Sequence, residues 1–379
     1  MSDKTPDLEA KMASMSMQPY AVALGRAAWG IALTLRCIGE RLCKEKSGTR
    51  PRIAMPAFLC QSPLGAVLSE DWEPLFCDID LQTGIIPIRE WERVFRSGVD
   101  AALLVHMFGN PDENIQGIAA LCAKHQVFLM EDACLALGAT AGGRPCGAWG
   151  DAAFYSFGHT KLIDVGSGGI LVTRHGWLAS DVRNQLKTCE PTSDEVRNRT
   201  AETFLKKFYD AKSHLIDNEP LAKKKFSGLI GEYYPLVSQK WDLSLAEKIL
   251  PHLDNLPSIV ELRRNKANQY RQALVPFIEV LGMSGNSVPW RFVFRIAGIS
   301  RNQQERLSEC IREEGVHVSN WYLPLHWILP SGSEHAADLR QTEMLSREIF
   351  QFWLNESADS ATISRNCEIF SSCLNKLMI

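Results

Sequence analysis

Apolar residues in the first half of this chain fall into short unbroken runs, and the segments between them carry helical spacing. Residues 21–37 (AVALGRAAWGIALTLRC) are apolar nearly all round, with small residues early, and predict a buried helix opening near Gly25-Arg26-Ala27. The first turn of such a helix has backbone N–H groups without intrahelical acceptors, a ready site for an anion. Ahead of it, residues 1–18 read as a polar lead-in with about one turn of helix. A charged turn is expected over 44–51. Then come a short strand over 52–56 ended by proline, a helix over 62–68 and a strand over 74–79. Residues 101–105 (AALLV) read as a strand buried on both faces. Ile115, Ile118, Ala119, Leu121 and Cys122 recur at helical spacing, followed by a strand over 127–130. Two more strands, 152–157 and 170–174, flank the glycine cluster Gly166-Ser167-Gly168-Gly169. Such strand–helix–strand alternation implies parallel strands joined by right-handed crossovers, hence an α/β fold.

The second half changes character. Residues 176–234 are helical and polar and name no chemistry. Residues 243–275 read as one long helix or a pair, interrupted near Pro251 and Pro257 and stopped by Pro276. A strand over 291–296, a helix over 303–314 stopped by Gly315, a strand over 316–318 and a helix over 339–352 complete a small α+β unit. The expected division is a large α/β domain over 1–250, with a mostly parallel sheet, and a small C-terminal domain over 251–379.

Composition narrows the function classes. The chain of 379 residues is 45% hydrophobic and 22% charged with net charge −3, which gives no pull toward nucleic acid or an anionic membrane surface. The eleven cysteines show no CxxC pair or zinc-type spacing, so no metal is expected and most should be small buried hydrophobes in a reducing compartment. The N-terminal stretch does not have the pattern of a secretory signal, and no apolar run reaches membrane-spanning length, which makes the cytoplasm the expected location.

Chemistry concentrates between residues 131 and 169. Glu131-Asp132-Ala133 closes one apolar run, and Ser156-Phe157-Gly158-His159-Thr160-Lys161 closes another. Open α/β sheets bind ligands just past the carboxyl ends of their strands. Pyridoxal phosphate (PLP) needs this set of groups: a lysine amine for a Schiff base, a carboxylate against the pyridine nitrogen, and hydroxyl and backbone donors for its phosphate. Lys161 would supply the first and Asp132 the second, with Ser156 and the Gly25-Arg26-Ala27 turn supplying the third. A single lysine is more often a solvated charge, and an aspartate past a strand is more often a turn residue. Their joint order and spacing carry the reading.

These motifs resemble the DegT/DnrJ/StrS family of PLP-dependent sugar aminotransferases, fold type I, over most of the chain. The resemblance rests on Gly25-Arg26-Ala27-Ala28, Met55-Pro56-Ala57, Cys77-Asp78-Ile79-Asp80, Val105-His106-Met107-Phe108-Gly109, Glu131-Asp132-Ala133 through Gly138-Ala139, Ser156 to Lys161, and Pro324-Leu325-His326. It implies that Lys161 binds PLP and shuttles a proton. It also implies an amino acid donor, commonly glutamate, a nucleotide-linked keto-sugar or related carbonyl acceptor, and a homodimer with shared sites. His326 and Trp321 are candidate substrate contacts. Elimination or dehydration on the same cofactor, or a PLP-binding protein without catalysis, are the other readings.

The chain departs from the family pattern at several points. Leu135 and Leu137 stand where the family has glutamine and histidine, and Arg26 replaces the phosphate-turn threonine. Cys60 falls at the ring-stacking aromatic, with Phe58 two residues away. Ser238-Gln239-Lys240 aligns loosely with an Asn-Tyr-Arg segment that the family inserts from a neighbouring subunit. Leu135, Leu137 and Trp321 together would suit a bulky or apolar acceptor.

Overall fold

A single sheet runs through most of the molecule, and the order in which the chain fills it decides where a site forms. The computed structural model describes residues 3–45, 50–275, 277–330, 338–354 and 358–378. The chain begins with α1 (Thr5–Met15), β1 (Tyr20–Leu24) and α2 (Ala27–Glu45). Next come β2 (Arg52–Pro56), α3 (Gln61–Ser69), β3 (Glu73–Cys77), α4 (Ile88–Arg96), β4 (Ala101–Val105), α5 (Ile115–His125) and β5 (Phe128–Asp132). A two-residue hairpin, β6 (Thr140–Ala141) with β7 (Arg144–Pro145), precedes β8 (Ala152–Ser156) and β9 (Gly169–Thr173).

The seven-stranded sheet has the order β1-β9-β8-β5-β4-β2-β3. Neighbours from β8 through β3 pair in parallel, and β9 alone runs antiparallel to both of its neighbours. The expected parallel α/β arrangement is therefore present. Period-two alternation sends Val22 and Leu24 into the core that holds α2, and Ala21 and Ala23 into the core that holds Leu8, Met12 and Ile249.

The middle of the chain is helical as expected: α6 (Gly176–Thr188), α7 (Asp194–Ser213), α8 (Glu219–Phe226), α9 (Ser244–Asp254) and α10 (Leu256–Leu274). The α9–α10 pair breaks at Asn255, and Pro257 sits in the first turn of α10, where its missing N–H costs nothing. Along α10, Leu256 and Val260 pack with the large sheet's core, whereas Tyr270 and Leu274 pack in a separate core. That second core lies against a four-stranded sheet of order β10-β11-β13-β12, formed by β10 (Glu279–Val280), β11 (Arg291–Arg295), β12 (Val318–Ser319) and β13 (Ile349–Trp353). Helices α11 (Arg301–Glu313), α12 (Arg340–Glu348) and α13 (Ser360–Met378) complete it. A Ser300–Gln303 capping box sets the start of α11.

Several expectations need correction. Residues 20–24 are a strand, because pairing with β9 satisfies their backbone, so the helix begins only at Ala27. The N-terminal lead-in is a helix of eleven residues held down by fully buried Leu8 and Met12. The helix expected over 339–352 ends at Glu348, since Ile349-Phe350-Gln351-Phe352-Trp353 pairs with both β11 and β12. Among the cysteines, Cys37, Cys77, Cys122, Cys146 and Cys367 are free and buried, but Cys310 and Cys373 form a disulfide between α11 and α13. Pro276 and residues 46–49 of the turn expected over 44–51 lie outside the described residues, and residues 44–45 of that turn belong to α2.

Candidate active site

Strand β5 ends on Asp132, β8 ends on Ser156, and β1 runs through Gly25-Arg26 into α2, so three parallel strands bring their carboxyl ends to one place. A cavity of about 1210 Å³ opens there, and Arg26, Ala27, Asp132, Ser156, Lys161 and Trp321 all line it. Gly25, also expected to touch the cofactor, is not among the lining residues. His326 does not line the cavity; its Nε2 pairs with Glu343 at 3.1 Å.

Adjacent residues of β5 take opposite jobs because the strand's pleat turns them to opposite faces. Glu131 is fully buried and accepts hydrogen bonds from the backbone N–H groups of Gly147 and Trp149, both at 2.7 Å, and lies 2.9 Å from His106 Nε2. It ties down the loop after β7. Asp132, 6% exposed, faces the cavity and accepts the Cys134 N–H at 3.0 Å.

The turn into α2 depends on glycines at close approach. The Gly168 N–H donates to Gly25 O at 2.9 Å. A Cβ on Gly169 would lie 2.4 Å from the Ala27 nitrogen, and one on Gly25 would lie 2.1 Å from Gln239 O. The glycine cluster before β9 therefore allows that strand to start directly against the first turn of α2. Ala27 and Ala28 at this turn line the cavity, with first-turn N–H groups that have no intrahelical acceptor.

Lys161 lies in the loop between β8 and β9. Thr160, just before it, has φ of 68°, donates its N–H to Asp164 Oδ2 at 2.8 Å, and accepts the Trp290 indole N–H at its carbonyl. Lys161 itself has no ion-pair partner among the described residues. His159 carries a side chain 84% exposed, with Asp164 at 3.8 Å.

These features fit PLP: an unpaired lysine, a buried carboxylate in the same cavity, a hydroxyl at Ser156, and a helix N-terminus that glycines leave open. The ring-stacking position is occupied by Cys60, which lines the cavity, whereas Phe58 is fully buried against Phe108 and Tyr322. Burial raises the pKa of Cys60 despite the opposing charge of Lys161. Burial, with Asp132 adding to it, holds the Cys134 thiol well above its usual range. Both cysteines stand in the cavity as neutral thiols.

Several lining residues escaped sequence reasoning. Helix α7, which looks like an ordinary solvated helix in the sequence, contributes Arg197, Asn198 and Lys212. Lys212 donates to Asn320 Oδ1 at 2.7 Å, and Asn320 donates to Glu305 Oε1 at 2.8 Å. Burial lowers the pKa of Lys212, with Glu305 acting against that. From the small sheet come Arg291 and Trp353, and from the segments beside its strands Trp290 and Tyr322. Trp321 stacks on Phe208 of α7, with ring centroids 4.8 Å apart. The bridge Phe58–Pro324 and the Leu325 N–H donated to Ala57 O at 2.8 Å clip this segment to the end of β2.

A family model for the DegT/DnrJ/EryC1/StrS aminotransferases matches residues 1–370. The chain belongs to the DegT/DnrJ/EryC1/StrS aminotransferase family. It is 25% identical over 329 residues to a pleiotropic regulatory protein of Geobacillus stearothermophilus, covering 86% of this chain and 77% of that one. It is 24% identical to the dTDP-4-dehydro-2,3,6-trideoxy-D-glucose 4-aminotransferase of Saccharopolyspora spinosa, covering 72% of this chain and 66% of that enzyme. The structure of PseC, an aminotransferase of pseudaminic acid biosynthesis from Helicobacter pylori, superposes with a TM-score of 0.78 at 14% identity, covering 99% and 92% of the two chains.

Membership in the DegT/DnrJ/EryC1/StrS family makes this chain an aminotransferase-type enzyme and implies PLP as its cofactor. Two of its departures from the family sequence lose their functional meaning in the structure. Leu135 and Leu137 are buried in the two cores and do not line the cavity, so they do not shape an acceptor site. Of the three residues expected to favour an apolar acceptor, only Trp321 reaches the cavity.

Proposed function

We propose that this chain transfers an amino group from an amino acid, with glutamate as the expected donor, to the carbonyl of a nucleotide-linked sugar. The convergence of Lys161, Asp132, Ser156 and the α2 N-terminus on one cavity carries the reading. PLP, when bound, supplies an electron sink for the carbon that carries the nitrogen. Asp132 would hold the proton on the pyridine nitrogen, its own low exposure strengthening that charge-assisted contact. Ser156, the first-turn N–H groups of α2 and the Arg26 guanidinium would bind the phosphate. Lys161 Nζ, once free, would take the proton from the donor's α-carbon and return it to the carbon being aminated.

The size of the cavity supports a large acceptor. At about 1210 Å³ it exceeds the ~300–1,000 Å³ usual for small-molecule sites. It extends to Lys212, Glu305, Arg312 and His317, far more polar wall than a cofactor and an amino acid need. The Saccharopolyspora spinosa relative, named for a dTDP-linked keto-sugar, supports the same substrate class. A homodimer in the cytoplasm belongs to this proposal. Gln239, aligned with the segment that the family inserts from a neighbour, lines the cavity of its own chain. No helix among the described residues is long and apolar enough to cross a membrane.

The test incubates PLP-loaded protein with glutamate and a panel of nucleotide-linked keto-sugars and measures 2-oxoglutarate against amino-sugar. Equimolar formation supports the proposal. Loss of water or another group from the sugar without 2-oxoglutarate would replace it with a lyase.

A further inference from the structure

Arg26 stands at the turn into α2, and Arg197 lies near the start of α7. Both line the main cavity. Both also line a smaller side pocket of about 240 Å³, which opens between α7, Gln61 of α3 and the 3-10 segment Leu229–Leu236. The two arginines therefore stand where the two cavities join. The Arg26 guanidinium has no hydrogen-bond or ion-pair partner among the described residues. The Arg197 side chain is 14% exposed, and its Nη1 donates to Asp194 Oδ1 at 2.8 Å. That carboxylate is itself 86% exposed. Burial lowers the Arg197 pKa and the charge of Arg26 lowers it further, with Asp194 and Tyr233 opposing.

Two neighbouring cations repel each other, and the carboxylate that acts on Arg197 is turned to water, where solvent weakens it. The surroundings add donors rather than counter-charge. Ala27 and Ala28 of the first α2 turn line the same cavity, as does the Ser156 hydroxyl. Gln61 and Asn198 bring side-chain amides to the junction. An anion placed there would relieve the repulsion. Charge selects its kind. A carboxylate carries one negative charge on two oxygens. A phosphate monoester carries about −1.5 to −2 at neutral pH on three oxygens, enough for two guanidinium groups and further donors. The planar fork of arginine matches such oxygens in pairs.

We propose that Arg197 joins Arg26 in binding one phosphoryl group, with one arginine reaching from the turn into α2 and the other from α7. Two ligands of the proposed reaction carry this chemistry, the cofactor and the nucleotide of the acceptor. The inference rests on the aminotransferase reading above and adds to it a binding residue from an element without any phosphate motif. It makes α7 part of the ligand site rather than a solvated helix.

The experiment titrates wild type, Arg197→Gln, Arg197→Lys, Asp194→Asn and Arg199→Gln calorimetrically. Cofactor-free protein receives inorganic phosphate, PLP or pyridoxal, and PLP-loaded protein receives dTDP or UDP. Arg197→Gln should raise the dissociation constant of the phosphoryl ligand at least about tenfold and leave that of pyridoxal within about twofold. Arg197→Lys should fall between, because it keeps the charge and loses the fork. Arg199→Gln, at an exposed position on the same helix, should match wild type, and Asp194→Asn should not weaken binding. Weaker PLP with unchanged pyridoxal assigns the phosphoryl group to the cofactor. Weaker dTDP and UDP with unchanged PLP assigns it to the acceptor, and either result supports the proposal. Equal constants for every titrant in wild type and Arg197→Gln would overturn it. So would the same loss in Asp194→Asn, which would leave Arg197 only its ion pair. If circular dichroism shows Arg197→Gln misfolded, Arg197→Lys decides. A wild type that takes up no PLP would overturn the underlying reading, and inorganic phosphate on wild type and Arg197→Gln then decides this proposal by itself.

Discussion

Replacing Gly25 by alanine would test how the turn proposed to bind the phosphate is built. The new methyl carbon would sit 2.1 Å from Gln239 O and 2.6 Å from Lys240 O, against an ordinary contact of 3.4 Å or more. Both obstacles are backbone atoms, so no side-chain rotation relieves the clash. Either the 238–240 segment retreats by about 1 Å or more or the first turn of α2 shifts, and the second would displace the N–H groups of Ala27 and Ala28. Overpacking of this kind costs about 1–3 kcal/mol. If the shift falls on the phosphate turn, that is roughly a 5- to 150-fold loss of PLP affinity. The assay is a PLP titration of the apo protein by tryptophan fluorescence, with a thermal melt alongside. Gly117 is the control: it is exposed within α5 and a Cβ there meets nothing within 4 Å, so Gly117→Ala should stabilise by about 0.5–1 kcal/mol with PLP affinity unchanged. A Gly25→Ala protein with wild-type PLP affinity and melting temperature would refute the close packing described.

Other consequences are more local. Trp290→Phe deletes the indole N–H that braces Thr160 and should cost about 1 kcal/mol in a denaturant titration. The hydrogen bond from His326 holds the Glu343 carboxyl down to about 2 from its usual 4.5, so its contribution to stability is complete above pH 4.5 and is lost as pH falls through 2. Glu343→Gln should therefore lower the melting temperature at pH 6, and the gap from wild type should close on acidification over that window. The disulfide Cys310–Cys373 closes a long loop, so Cys310→Ser should cost about 2–4 kcal/mol under oxidising conditions and nothing in the presence of a reductant.

The residues proposed to hold the cofactor were legible as a cluster because they end strands whose apolar runs are unmistakable. Asp132 and Ser156 follow 128–131 and 152–155, and the parallel crossovers bring such ends together. β1 was hidden because Tyr20–Leu24 joins an equally apolar helix with only Gly25 and Arg26 between them. β13 was hidden for the related reason that α12 runs straight into it without a glycine or proline. The far wall of the cavity was illegible on different grounds. Arg197, Lys212 and Glu305 look like solvated charges in the sequence, and only the docking of α7 and α11 around the cavity turns them inward. Leu135 and Leu137 show the converse, since changes that read as functional in one dimension are core packing in three.

The central claim is that this cavity binds PLP through Lys161. The most direct measurement is the near-visible absorbance of the purified protein after loading with PLP and gel filtration, compared with Lys161→Ala. Retained absorbance in wild type that is lost in the variant, while circular dichroism stays the same, is the predicted result. A wild type that emerges colourless, or a Lys161→Ala protein with the same spectrum as wild type, would contradict the account.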